Sequence, residues 1–356
     1  MNLLSRYGAT RTLCCLVVLS PFATSFARAA DARGTKPVVD LRKHPTDGKT
    51  PVDVSVGLYI TNLAAIDESR ESFEVGGILS GTWHDPRLVS APGEQQDKPR
   101  EFRLEDLWTP AIEAANAISH KTNQYSLVAD KDGTVTYRER FDAVYSNSFV
   151  LREFPFDTQV LRFEYQPFVT SASQFQFAPQ ALPGTGISPE DNAALAGWRL
   201  QGVTYTADRL TGMPFQPDTH EALFQIVAKR RSGFYIWKIF LPLIMITMIP
   251  MVVFWIDVKE FDWILKIPMT MLLSMVAFAF TITRDLPKIG YLTFFDSVLL
   301  LSFTFCFFGI FEILFVYLLQ KHGRRPLAVR LHNAGRWAYP TAYFAVVLVL
   351  AICFLA

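Results

Sequence analysis

At 356 residues, with 19% charged side chains, 50% apolar residues and a formal net charge of +1, the chain is long enough for two domains and too apolar for an ordinary soluble protein. That balance excludes a strongly basic nucleic-acid binder and an acidic tail. The apolar excess is uneven, collecting after Phe234, while residues 31–231 alternate polar and apolar positions as a soluble domain does.

Residues 1–29 carry Arg6 and Arg11, an apolar run over 13–26, and then Ala27-Arg28-Ala29-Ala30. This order predicts a secretory signal peptide, with a signal anchor as the alternative. Either sends the downstream domain across the membrane. Of four cysteines, Cys14 and Cys15 lie in the signal and Cys306 and Cys353 in apolar C-terminal segments. The exported region, residues 30–232, therefore has neither a disulfide scaffold nor a thiolate metal site, and an apolar core must hold it.

Within that region, runs rich in Val, Ile, Thr, Tyr and Phe recur between Gly, Pro, Asp and Asn, which predicts an all-β, immunoglobulin-like sandwich of about ten strands. Residues 52–60 alternate at period two, as do residues 132–140 after the Asp132-Gly133 turn. Residues 111–117 suggest one short helical turn. No HExxH, GxSxG, CxxC or Walker pattern occurs, and His44, His84, His120 and His220 stand singly. Neither an enzyme nor a metal or cofactor site is expected.

Residues 233–356 predict an all-α bundle of four membrane-spanning helices over 234–255, 263–283, 293–319 and 337–356. The first opens on Phe234-Tyr235-Ile236-Trp237, suited to a headgroup interface, and carries Pro242 and Pro250. A charged turn, 257–262, leads into the second. Four spans after a translocated domain put both termini outside. The link between the third and fourth spans carries Lys321, Arg324, Arg325, Arg330 and Arg336 without an acid, as a cytoplasmic loop should. It is too short for a signalling domain.

On the second span Asp262, Lys266, Thr270, Leu273, Ala277, Phe280 and Arg284 follow spacings of three and four, so they share one stripe. Several copies around an axis would line a pore, with Leu273 and Phe280 as apolar constrictions and Asp262, Lys266 and Arg284 as charged rings. The alternative is a stripe packed inside the bundle with snorkelling charged ends. In the third span Asp296 is near the outer end, where water reaches it, and deeper Glu312 is expected to hydrogen-bond a neighbouring helix.

Phe154-Pro155-Phe156-Asp157-Thr158-Gln159 resembles the signature loop of the prokaryotic pentameric ligand-gated ion channels, relatives of the Cys-loop receptors. The flanking cysteines of animal members would fall at Asn147 and Leu161, so the chain shares the cysteine-free pattern. Trp83-His84-Asp85-Pro86-Arg87-Leu88, Leu107-Trp108-Thr109-Pro110 with Asn116, Pro242, and Leu286-Pro287-Lys288 with Tyr291 resemble further family segments in the same order.

The resemblance implies a multi-pass cell-membrane receptor with a periplasmic or extracellular N-terminal domain. It further implies a homopentamer around a central pore lined by the second span, with lipid and permeating ions as partners and no nucleic acid. It places a small-molecule agonist between subunits, with Phe168, Tyr205 and Phe215 on one face and Tyr59, Trp83 and Tyr137 on the other. Such an aromatic box favours an amine, although each aromatic has the alternative of a core position. Phe154, Pro155, Phe156 and Asp157, with Leu286, Pro287 and Lys288, would couple the two domains. Asp262 points to cation conduction, Lys266 raises an anion-selective channel as the alternative, and Pro268 bears on the pore register. A non-conducting, membrane-anchored sensor is the remaining rival.

Overall fold

The computed structural model describes residues 40–90, 98–167, 174–188, 197–211, 219–256, 261–283 and 289–355. The expected signal, 1–29, lies outside them. Eleven strands are described, two of them only two residues long, against the ten or so expected.

They form two sheets. The first has the order β3 (Arg100–Glu101), β5 (Ala117–Ala129), β6 (Thr134–Ser146), β2 (Ser72–His84), β1 (Val52–Asp67) and β8 (Phe175–Phe177), with β9 (Gly186–Ile187) also on β1. The second has the order β10 (Trp198–Leu210), β11 (Thr219–Arg230), β7 (Thr158–Pro167) and β4 (Ile112–Ala114). Period-two burial on β6 and β7 turns one face of each sheet inward. Phe73, Phe141, Tyr145, Phe163, Tyr165 and Phe224 fill the space between, all buried. Phe73 meets Phe163 edge-on at 5.1 Å, and the hydroxyls of Tyr145 and Tyr165 share a 2.9 Å hydrogen bond across the two sheets.

The helical turn expected over 111–117 is instead a strand and the start of another. Ala111 has φ 26°, outside the helical basin, and β4 pairs with β7 from Ile112↔Pro167 to Ala114↔Tyr165. Asn116 then spans the two sheets, donating to the carbonyls of Ser146 and Arg162 and accepting from the Glu164 amide. A side chain that satisfies three backbone groups holds this crossing open without a helix.

Four helices long and apolar enough to cross a membrane complete the chain: α1 (Gly233–Trp255), α2 (Phe261–Thr283), α3 (Phe294–Lys321) and α4 (Arg325–Leu355). In α1 a wide π turn over Ile236–Phe240 precedes Pro242, and a tight 3-10 path over Ile249–Trp255 contains Pro250. Each proline removes an amide, and the backbone changes pitch around it. Asp296 is not simply wetted. It accepts from the amide and hydroxyl of Thr293 while the Thr293 hydroxyl accepts from its amide, a capping box that starts α3.

The largest departure is α4, which begins twelve residues before 337, so the basic link is helix rather than loop. Its inner end answers the exposed carbonyls of α1: Arg336 Nε donates to Phe254 O at 2.7 Å and His332 Nε2 to Ile256 O at 3.2 Å. Gly335 permits this approach, since a Cβ there would lie 2.6 Å from the Phe254 ring. Glu312 does not make the expected interhelical hydrogen bond: its carboxylate lies 3.9 Å from His332 Nδ1 on α4, beyond bonding distance.

The Tyr145–Tyr165 pair yields a test of the sandwich. Tyr145→Phe or Tyr165→Phe alone leaves one buried hydroxyl unpaired and should cost about 1–3 kcal/mol, whereas the double variant should be close to wild type. Thermal unfolding of the purified protein checks it, and additive single losses would show that the two hydroxyls are independent.

Candidate functional site: a helix face, two cavities and a buried junction

α2 presents the first element. Its inward positions Ile264 and Met275 are buried, while Lys266, Thr270, Leu273, Ala277 and Phe280 are exposed in the isolated protomer. Leu273 and Phe280 reach 71% and 74% exposure. The Thr270 hydroxyl donates to Lys266 O, and Thr281 to Ala277 O, which leaves a hydroxyl lone pair at each to face outward. The helix continues through Pro268, which is buried, so the five exposed residues keep one face. Asp262 lies on the helix with its side chain outside the described residues, and Arg284 lies outside them entirely.

Of the aromatics expected at a ligand site, Phe168 and Phe215 lie outside the described residues. Tyr205 is half-buried on β10; its hydroxyl donates to Ala178 O at 2.9 Å and its ring lies 4.9 Å from Phe224. Burial pushes its phenol up to about 12.

The other three divide between opposite faces of one sheet. Tyr59 lines a cavity of about 180 Å³ with Ile78, Ser80, Thr136 and Arg138. Trp83 and Tyr137 line another, of about 170 Å³, with Leu79, Gly81 and Pro110. Period two separates them: even residues of β2 and β6 line the first cavity and odd residues the second. Trp83, only 3% exposed, stands edge-on to Trp108 at 6.2 Å. Trp83 and Tyr137 therefore do not form one box with Tyr59.

A cluster that single histidines did not reveal lies beside the second cavity. Glu139 accepts from His120 Nε2 at 2.8 Å, from the Thr122 hydroxyl and from Tyr137 at 3.0 Å. Burial pushes its carboxyl up, but these three donors outweigh that and hold it below the usual range. The residues come from neighbouring strands, so only the β5–β6 register brings them together.

The third element joins the sandwich to the bundle. Arg230, the last residue of β11, donates through Nε and Nη2 to the two oxygens of Asp157 at 2.7 and 3.0 Å and through Nη1 to Glu68 at 2.7 Å. Its guanidinium lies 4.1 Å from the Trp198 ring. Burial opposes its charge, but Asp157 and Glu68 more than compensate and raise its pKa. Gln159, also from the expected coupling loop, donates to Asp157 at 2.6 Å and to Val150 O at 2.7 Å.

The same loop grips the membrane helices. Phe154 packs edge-on to Tyr235 at 4.9 Å, Phe156 lies 5.8 Å from Phe294, and Ser232 donates to Pro155 O at 2.8 Å. Tyr291 accepts from the Leu151 amide at 2.9 Å, and Phe294 N donates to Arg152 O at 2.9 Å. Leu286, Pro287 and Lys288 lie outside the described residues. Sequence reasoning missed Arg230 and Glu68, which lie 162 positions apart; the Arg-Arg pair closing a strand beside a membrane span was the available signal.

Residues 39–232 match the family model described as the neurotransmitter-gated ion-channel ligand binding domain. The chain is 24% identical over 312 residues to a proton-gated ion channel of Gloeobacter violaceus, covering 87% of this chain and 85% of that one. It is 25% identical over 290 residues to a gamma-aminobutyric acid receptor subunit beta-like protein of Drosophila melanogaster, covering 77% of this chain but 58% of the fly protein. A glutamate-gated chloride channel subunit beta of Haemonchus contortus is 24% identical over 291 residues, covering 78% and 67%.

The buried junction is testable. Arg230→Met leaves Asp157 as a buried charge and Glu68 as a partly buried one, both without their partner, and should destabilise the protein by about 3–5 kcal/mol. Adding Asp157→Asn and Glu68→Gln should recover part of that loss. Thermal unfolding of the single and triple variants measures both, and equal losses would show that unpaired charge is not the cause.

Proposed function

The chain belongs to the neurotransmitter-gated ion-channel family, and from that premise we propose that it is a homopentamer whose α2 helices surround an ion pore opened by a small molecule bound between subunits. Residues 1–29 act as the export signal, 30–232 as the extracellular ligand-binding domain and 233–356 as the membrane domain.

The exposed face of α2 carries this reading. A lone span exposing Lys266 and Thr270 beside Leu273 is costly in lipid, and fivefold arrangement around water removes that cost. Leu273 and Phe280 then form apolar rings that gate by dewetting, while Thr270 offers a hydroxyl to a passing ion.

The agonist is an amine held against aromatic rings, with Tyr205, Phe168 and Phe215 supplying one subunit's face; a cation–π contact contributes about 0.5–2 kcal/mol per ring. It opens the pore only to the extent that it binds the open state better than the closed one. The junction around Arg230 and the 154–157 loop passes that preference to α1 and α3, with 286–288 as the expected route to α2.

The pore conducts cations, because Asp262 forms an acidic ring at its inner mouth. Lys266 supports a second reading, an anion channel, since a ring of lysines at the narrow end repels cations by roughly 2 kcal/mol per pair at about 8 Å and an effective dielectric near 20.

Current recordings from the purified protein in a planar bilayer under asymmetric salt, with amines and pH steps applied, test the proposal. Gated currents with a cation reversal potential are expected. Lys266→Ala should move that potential further toward the cation limit, and Leu273→Thr, by wetting the constriction, should raise the current recorded without agonist. No current under any of these conditions from a protein shown to be pentameric would favour the non-conducting sensor.

A further inference from the structure

His44, one of the histidines that stand singly in the sequence, sits in a cage of hydrogen bonds that accommodates the ring in one protonation state. Its Nε2 lies 2.7 Å from Gln174 O, and a carbonyl only accepts, so Nε2 carries a proton. Its Nδ1 accepts from the amides of Thr46 at 3.2 Å and Gly48 at 3.1 Å, and an amide only donates, so Nδ1 carries none. The ring is neutral in this arrangement. A second proton would set an N–H against two others.

The local backbone is built around that ring. Asp47, at φ 52°, and Gly48, at φ 74°, both stand in the left-handed region, which curls the chain and aims the amides at the imidazole. The Thr46 hydroxyl closes the turn by donating to Thr50 O at 2.7 Å, and Trp108 packs edge-on to the imidazole at 4.9 Å. Gln174 O also accepts from Val52 N at 2.9 Å, immediately before Val52 and Phe175 pair as β1 and β8. His44 therefore ties its segment to the point where those two strands begin.

A second clamp on the same segment does not titrate. Arg87 donates through Nη1 to Asp40 O at 3.2 Å and Lys43 O at 2.9 Å, and through Nη2 to Leu41 O at 3.2 Å. A guanidinium keeps its charge, whereas imidazole is the side chain that changes charge between about pH 5 and 8. Residues 40–43 are thus pinned by a permanent cation and residues 44–50 by a titratable group. The charged neighbours offer the imidazolium no partner. Asp40 pairs with Arg42, Asp85 with Arg87, and Asp53 accepts from Gln176, while Lys43, Asp47, Lys49 and Asp106 are exposed. Among the described residues none of these carboxylates bonds the ring.

We propose that His44 is a proton-operated latch: neutral, it holds residues 44–50 against the start of β8, and protonated, it releases them while Arg87 keeps residues 40–43 in place. The sign follows from the hydrogen bonds, so the latch is closed where the imidazole is neutral and opens as the pH falls. It belongs to the sandwich alone and stands apart from the channel reading.

Hydrogen exchange of the full-length protein in lipid nanodiscs reads the latch, followed by mass spectrometry from about pH 7.5 to about pH 4.5 and corrected for intrinsic amide exchange. Peptides over 44–52 should lose protection by roughly tenfold or more, the scale of one or two lost hydrogen bonds, while β6 peptides keep theirs. His44→Asn keeps an acceptor for the Thr46 amide, as an Asx turn does, and cannot titrate, so the pH dependence should vanish. His44→Gln, also neutral and with a longer reach, should behave alike, and His44→Ala should exchange at the open level already at neutral pH.

The proposal is overturned if peptides over 44–52 stay protected in acid. Equal acid-induced loss in His44→Asn and His44→Gln would also overturn it, assigning the effect to carboxylates such as Asp40 or Asp47. So would parallel loss in β6, which would mark acid unfolding of the whole sandwich.

Discussion

A guanidinium buried between two carboxylates at the end of the last strand governs how the two halves of this protein are joined. Arg230 is two residues from Ser232, which bonds the 154–157 loop, and three from Gly233, where the first span begins. Its partners come from the β1–β2 turn, through Glu68, and from the loop before β7, through Asp157. Such a cluster is rigid because displacing Arg230 leaves the Asp157 charge in a site that water does not reach. The aromatic contacts of Phe154 and Phe156 with α1 and α3 surround that fixed point, so the sandwich and the bundle share one set of buried side chains. A change in strand packing therefore has a mechanical path to the spans.

The sheet above the junction keeps two kinds of polar chemistry apart. Facing inward, β6 satisfies Glu139 with neighbouring hydroxyls and an imidazole, as a buried carboxylate requires. Facing outward, the next residue back in sequence leaves its charge open. Period two alone puts Tyr137 and Glu139 on one side and Thr136 and Arg138 on the other, so a single strand supplies both the buried cluster and the outer cavity.

The parts of the fold readable in the sequence were those with a local period: alternating strands, apolar spans and the stripe on α2. Residues 111–117 misled because alanine-rich composition favours helix, while Pro110, the backbone at Ala111 and the tertiary grip of Asn116 select a strand. The early start of α4 was hidden because a basic run reads equally as a loop or as a helix end, and only the waiting carbonyls of Phe254 and Ile256 decide. Arg230 with Glu68, and His120 with Glu139, escaped for a different reason. Their partners are remote in sequence or set by cross-strand register, and no spacing rule encodes either.

The four spans differ in what they leave uncovered, and that difference bears on assembly. α4 exposes Phe344, Leu348, Val349 and Ile352, a surface that hydrocarbon solvates as well as protein would. α2, the least apolar of the four, exposes Lys266 and Thr270 along with Leu273 and Phe280. Lipid therefore stabilises the first surface and penalises the second. A protomer with one lipid-compatible side and one that needs water is polarised before it meets a partner. An aqueous surround would relieve the α2 face, whereas hydrocarbon suffices for the α4 face.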